Sequence, residues 1–235
     1  MSTLRRTPST EIHLHLFLKS RIFAAYWNHD MNWVEFRARM FDLACFSIHQ
    51  VYAWQPEFDR NNFLRWTRKG YLVPLRRGFY AFPEYRSKPD IAAYFAGRMY
   101  NPSYISLHSA LSFYGLIPES VVQITSVTSL KTAAFRNAFG EYSYKSVRED
   151  LLFGHVQRPL ADGRMTAYAT REKALLDLLY LYPFYNTEPE LANLRLDGDV
   201  LHEDLNLAEW ESLAARFHST ALEKRVRLLS RVYDL

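Results

Sequence analysis

The stretch from Asn32 to Phe82 constrains the fold more than any other part of the chain, because residues that start and stop helices recur through it at close spacing. Asn32 is a good N-cap ahead of Trp33, Val34, Phe36, Phe41 and Leu43, which predicts a first helix. Ser47 can cap a second short helix carrying Ile48, Val51 and Tyr52, and Pro56, which has no backbone N–H to donate, stops it. Asp59 can cap a third helix from Arg60 to Lys69, closed by Gly70, the residue type that most readily takes a left-handed conformation at a helix end. Two β-rich runs follow, Tyr71-Leu72-Val73 and Phe79-Tyr80-Ala81-Phe82, joined by Pro74 to Gly78 as a hairpin. Three short helices and a hairpin in that order predict a winged helix-turn-helix over residues 31–85.

Charge suggests what such a module would meet. Residues 1–100 hold 15 Lys and Arg against 8 Asp and Glu, whereas 101–235 hold 14 against 17, so the two parts carry +7 and −3. On a helical wheel, Phe63, Leu64, Trp66 and Thr67 share the packing side of the third helix, and Asn61, Arg65, Arg68 and Lys69 fall opposite. Arg can donate bidentately to guanine, Asn can pair with adenine, and Lys and Arg neutralise phosphates, so this face has the groups that double-stranded DNA recognition uses. In a helix-turn-helix the N-terminal half of the second motif helix reads base edges, here Asn61, Asn62 and Arg65, leaving Arg68 and Lys69 to phosphates. The preceding helix crosses the backbone, which makes Ser47, His49 and Gln50 phosphate candidates, and Arg76 and Arg77 at the hairpin tip would reach the adjacent DNA backbone or minor groove. Inverted-repeat operators would imply two copies bound.

Pro83 to Pro89, with two prolines and several charged residues, is the candidate boundary between modules. Beyond it, Asp90 starts a helix to Tyr100, and Ser106 caps another carrying Leu107, Ala110, Leu111 and Tyr114. Strands are predicted at Gln123 to Thr128, Tyr142 to Val147, Leu152 to Gln157 and Arg164 to Tyr168, with a turn at Ala161-Asp162-Gly163. From Thr170 the apolar spacing is helical to the end. The expected fold class is α+β: a winged helix-turn-helix, then a mixed α/β domain over residues 90–235 with a largely antiparallel sheet and C-terminal helices. Residues 1–30 show no clear helical stripe and read as an N-terminal extension, with Met31 as an alternative start.

Other readings are narrowed by composition. With 49% hydrophobic and 16% aromatic residues the chain can form a substantial core. Its single cysteine, Cys45, cannot form an internal disulfide, which suits a reducing cytoplasm, and neither a membrane span nor a signal peptide is expected. A catalytic site would need convergent groups, and none is predicted: His13 and His15 are two ligands without a complete metal set, and phosphate-binding glycine loops are absent. Glu172-Lys173 opens a helix, where Glu172 favours the positive N-terminus. Neither cofactor nor metal is expected.

Several segments resemble the AbiEi family of type IV antitoxins. They are Asp42-Leu43-Ala44-Cys45-Phe46-Ser47 with Gln50-Val51-Tyr52-Ala53-Trp54, Arg65-Trp66-Thr67-Arg68-Lys69-Gly70-Tyr71-Leu72, and Arg77-Gly78-Phe79-Tyr80. The pattern continues in Tyr104 to Leu111, Gly115-Leu116-Ile117-Pro118, Val127-Thr128-Ser129 and Glu172 to Leu178, so it covers about Met31 to Tyr182 and leaves out the first 30 residues. The resemblance implies an abortive-infection antitoxin whose winged helix represses its own promoter, while the second domain opposes a nucleotidyltransferase-like toxin without a stable complex. Two other classes stay open: a winged-helix regulator whose second domain senses a ligand or dimerises, and a DNA-binding domain fused to a nuclease-like enzyme.

Overall fold

Asn32 opens the first helix as its side chain predicts, its Oδ1 accepting the Glu35 amide proton at 2.9 Å ahead of α1 (Trp33–Met40). The computed structural model describes residues 31–235, and the expectation of an N-terminal extension lies outside the described residues. A short 3₁₀ turn leads to β1 (Cys45–Ser47), a strand too brief to show a period in the sequence. Ser47 ends β1 and caps α2 (Ile48–Trp54), and α3 (Asn61–Arg68) begins where Asp59 Oδ1 accepts the Asn61 amide proton at 2.9 Å. After α3 the Tyr71 amide folds back onto the Trp66 carbonyl at 2.9 Å, a closure that the positive φ of Gly70, +73°, permits. β2 (Val73–Arg76) and β3 (Phe79–Ala81) then form the hairpin. Its turn is only Arg77-Gly78, so Pro74 to Arg76, expected in the loop, belong to the strand. β1 pairs antiparallel with β3 to give a three-stranded sheet of order β1-β3-β2.

Aromatic rings fill the space between the helices and this sheet. Phe36 lies 4.6 Å from Trp66 and 5.6 Å from Phe58 between ring centroids, and Phe63 stacks on Tyr80 at 4.9 Å. Such pairs contribute about 0.5–1.5 kcal/mol each beyond the area they bury.

The segment expected to be a linker is packed. Pro83–Ser87 form a 3₁₀ helix with Tyr85 buried, its hydroxyl donating to the Phe41 carbonyl at 2.9 Å and accepting from Arg164 at 3.0 Å. The aromatic core then continues through Ile91, Phe95, Ala96 and Met99 of α4 (Ile91–Met99) to Tyr142 and Tyr144. Prolines and charges mark a 3₁₀ turn here, and Tyr85 anchors it.

The larger sheet has β4 (Ser103–Ile105), β5 (Gln123–Thr128), β6 (Ala133–Asn137), β7 (Gly140–Ser146), β8 (His155–Pro159) and β9 (Met165–Ala169), in the order β6-β7-β5-β4-β9-β8. Three neighbouring pairs are antiparallel, but β5–β7 and β4–β9 are parallel, so the sheet is mixed. β8 starts at His155 rather than Leu152 because Glu149–Leu151 form a 3₁₀ turn and Gly154 turns the chain at φ +65°. Between β4 and β5 lies α5 (Leu107–Phe113). α6 (Arg171–Leu181), buried from Glu172 to Leu179, is the axis of the second core, against which α5, α9 (Leu207–Ala215) and α10 (Thr220–Val232) pack. α7 (Glu188–Ala192) and α8 (Gly198–Asp204) connect them. The architecture is α+β with a mixed sheet. Among the described residues no helix is long and apolar enough to cross a membrane.

Candidate functional site

The amphipathic character of α3 decides which of its side chains are free. Phe63 and Trp66 are buried, whereas Asn61, Leu64, Arg65, Arg68 and Lys69 are exposed. Leu64, expected on the packing side, is 53% exposed and stands between the polar groups. Asn62 is 1% exposed and accepts a hydrogen bond from Arg65 Nη2, so it cannot reach a base edge. It instead orients the Arg65 guanidinium, a positioning role that its place four residues before Trp66, on the inner face, could have signalled.

Ser47 and Gln50 are likewise committed internally. The Gln50 amide donates to Ser47 Oγ at 3.2 Å and the Ser47 amide to Gln50 Oε1 at 2.9 Å, a reciprocal capping box. The box occupies the acceptor oxygens of both side chains, and Ser47 is buried, while His49 between them is exposed.

The two hairpin arginines separate. Arg77 in the turn is exposed. Arg76 points toward the larger sheet: its Nε donates to the Met99 carbonyl at 2.7 Å, and its guanidinium lies 4.3 Å from the Phe79 ring centroid and 5.6 Å from that of Phe135. Burial pushes its pKa below the ordinary arginine value, with Tyr144 and Tyr100 opposing. Arg76 therefore fastens the hairpin to the body of the protein and is withdrawn from the tip. The register irregularity between Pro74 and Arg76 in β2 sets this direction.

One basic residue was overlooked from sequence, where it served only as a helix start. Arg60 joins His49 and Arg77 around a hollow of about 760 Å³ between α2, the start of α3 and the hairpin turn. The exposed set is thus His49, Arg60, Asn61, Arg65, Arg68, Lys69 and Arg77. Among the described residues none of its five Lys and Arg side chains makes an ion pair. Uncompensated cations on a single helix and the adjoining turn create a local positive field suited to a polyanion.

The second core holds a different polar cluster. Lys173 and Asp177 are both fully buried and joined by an ion pair. Asp177 Oδ2 also accepts from Tyr104 at 2.9 Å and from Ser106 Oγ at 2.8 Å. Ser106 thus spends its hydroxyl on Asp177 and makes no side-chain cap on α5. The rings of Phe217 and Phe153 lie 4.6 and 4.7 Å from Lys173 Nζ. Burial pushes Asp177 up and Lys173 down, and each charge holds the other back. Glu172, expected to favour its own helix terminus, is buried and accepts the Asn206 amide proton at 2.9 Å, tying α9 to α6. Burial also pushes the Cys45 thiol up to about 12, against the opposing charges of Arg98 and Arg164, which keeps it protonated and unreactive. No group of three or more His, Cys, Asp or Glu that could hold a metal ion occurs among the described residues.

No protein-family model matches this chain, and no curated protein matches it.

Proposed function

We propose that the chain is a DNA-binding transcriptional repressor whose first 55 described residues, 31–85, act as a winged helix-turn-helix, and that it serves as the antitoxin of a type IV abortive-infection system. The observation that carries the DNA reading is the outer face of α3. Asn61, Leu64, Arg65, Arg68 and Lys69 lie exposed on one helix, with Arg77 on the neighbouring turn and Arg60 at the helix start, and no acid among them. In this reading α3 enters the major groove. Asn61 and Arg65 contact base edges, Leu64 offers an apolar contact to a thymine methyl, and Arg68, Lys69, Arg60 and Arg77 neutralise phosphates. The antitoxin half of the reading is supported by the segments that resemble AbiEi proteins, from Asp42 to Leu178. It assigns residues 90–235 to opposing a nucleotidyltransferase-like toxin without a stable complex, and the whole protein to the cytoplasm.

The test is a gel shift of the purified protein on the DNA upstream of its own reading frame, against a scrambled duplex of equal length at two salt concentrations. Specific binding that weakens with salt is expected, and co-expression with an adjacent nucleotidyltransferase-like toxin should restore growth. Equal retention of both duplexes, or of neither, would refute the repressor. Failure to restore growth with intact DNA binding would refute the antitoxin alone.

A further inference from the structure

The pairing of β1 with β3 carries on past the ends of both strands. Ser47 stands opposite Phe79, and the next amide, that of Ile48, donates to the Gly78 carbonyl at 2.9 Å. This bond fixes the start of α2 against the hairpin turn, so that His49, the following residue, lies beside the turn that carries Arg77. Arg60, one residue ahead of α3, completes the rim of the hollow of about 760 Å³. Three side chains that are or can become cations thus come from three separate segments to one concavity, and all three are exposed.

Nothing in the lining opposes them. Ile48, Pro74 and Phe79 supply apolar walls, Tyr80 lies among them, and Arg76 is already engaged with the Met99 carbonyl. No Asp or Glu lines the hollow, and Asp59, next to Arg60 in the chain, accepts the Asn61 amide proton. A phosphodiester matches this arrangement, because its charge and acceptor oxygens meet the cations while the adjoining sugars rest on the apolar walls. His49 differs from the two arginines in that an imidazole changes charge near neutral pH. A phosphate seated beside it favours the protonated form.

We propose that the hollow seats one phosphodiester of duplex DNA between Arg60 and Arg77, and that His49 is its proton-dependent ligand, so that DNA binding takes up a proton. The inference rests on the DNA-binding reading and adds a regulation to it: affinity rises as pH falls, with the hairpin acting as a clamp on the backbone.

Binding of the full-length protein to the upstream duplex is measured by fluorescence anisotropy at about pH 7.5 and pH 6, at constant ionic strength. The wild type should bind about threefold more tightly, or better, at the lower pH, since linked uptake of one proton allows at most about tenfold per pH unit. His49→Gln keeps a polar side chain that cannot become a cation, and should lose most of this dependence. His49→Lys carries a permanent charge, and should bind more tightly than the wild type at the higher pH while also losing the dependence. The position is exposed, so both variants should melt with the wild type. Replacing the phosphates of the duplex one at a time by uncharged methylphosphonates should reveal one linkage whose loss abolishes the pH dependence of the wild type. Failure of the wild type to bind the duplex at either pH would refute the DNA-binding reading and this inference together. Binding with equal pH dependence in the wild type and His49→Gln, or a dependence that survives every backbone replacement, would overturn this inference alone.

Discussion

Replacing Asp177 by alanine tests whether the second core is organised around its buried ion pair. The substitution leaves the Lys173 ammonium at 0% exposure, enclosed by Phe153, Phe217 and Tyr104, with no counter-charge. It also removes the acceptor shared by Tyr104 and Ser106. Removing one member of a buried pair costs about 3–5 kcal/mol. At about 2–4 °C per kcal/mol for a protein of this size, the melting temperature should fall by about 6–20 °C. Lys173→Met removes the other charge and leaves a carboxylate that can be protonated and still has hydroxyl partners, so its cost should be smaller. The double variant, Lys173→Met with Asp177→Leu, buries no charge and should be more stable than Asp177→Ala. Urea unfolding of the wild type, both single variants and the double variant measures all three differences. A cost below about 1 kcal/mol for Asp177→Ala would refute the reasoning, since an uncompensated buried ammonium cannot be that cheap.

Three further outcomes follow from the same contacts. Arg76→Ala should lower the melting temperature, because it removes the hydrogen bond to Met99 and the contact with Phe79, whereas Arg77→Ala should leave stability intact and weaken DNA binding; thermal melts and a gel shift of each separate the roles. Ser47→Ala should cost about 0.5–2 kcal/mol in urea unfolding through loss of the α2 cap rather than by loss of a phosphate contact. Burial holds the His108 imidazole below its ordinary value of 6.5, against the opposing charge of Glu119. The unfolded chain therefore binds that proton more readily, and the contribution is complete above pH 6.5 and declines as pH falls below it. Urea midpoints between pH 7.5 and 5 should fall less steeply for His108→Gln than for the wild type.

Much of the small module was legible because its signals are local. Asn32, Ser47, Asp59 and Gly70 each mark a boundary through their own backbone chemistry, and the structure has a helix end at or within two residues of each. The site was less legible because side-chain type does not reveal what a group is already bonded to. Ser47 and Gln50 are as suited to capping a helix as to holding a phosphate, and Arg76 left the hairpin tip through an irregularity in β2 that composition does not encode. The larger sheet was the hardest part to read. One of its two middle strands, β4, has three residues, and its two parallel pairings join segments separated by long stretches of chain or by an intervening strand. Hydrophobic alternation marks a strand but does not name its neighbour.

The central claim is that the outer face of α3 and the neighbouring hairpin turn contact DNA. Its most direct test is the salt dependence of binding to the upstream duplex, measured by fluorescence anisotropy for the wild type, Arg68→Ala and Arg65→Ala. If Arg68 neutralises a phosphate, its loss should reduce the slope of log K against log salt by about 0.9 on any duplex. Arg65→Ala should cost about 1–3 kcal/mol on the specific duplex and much less on a scrambled one. Slopes and affinities unchanged in both variants would contradict the account and remove α3 from the interface.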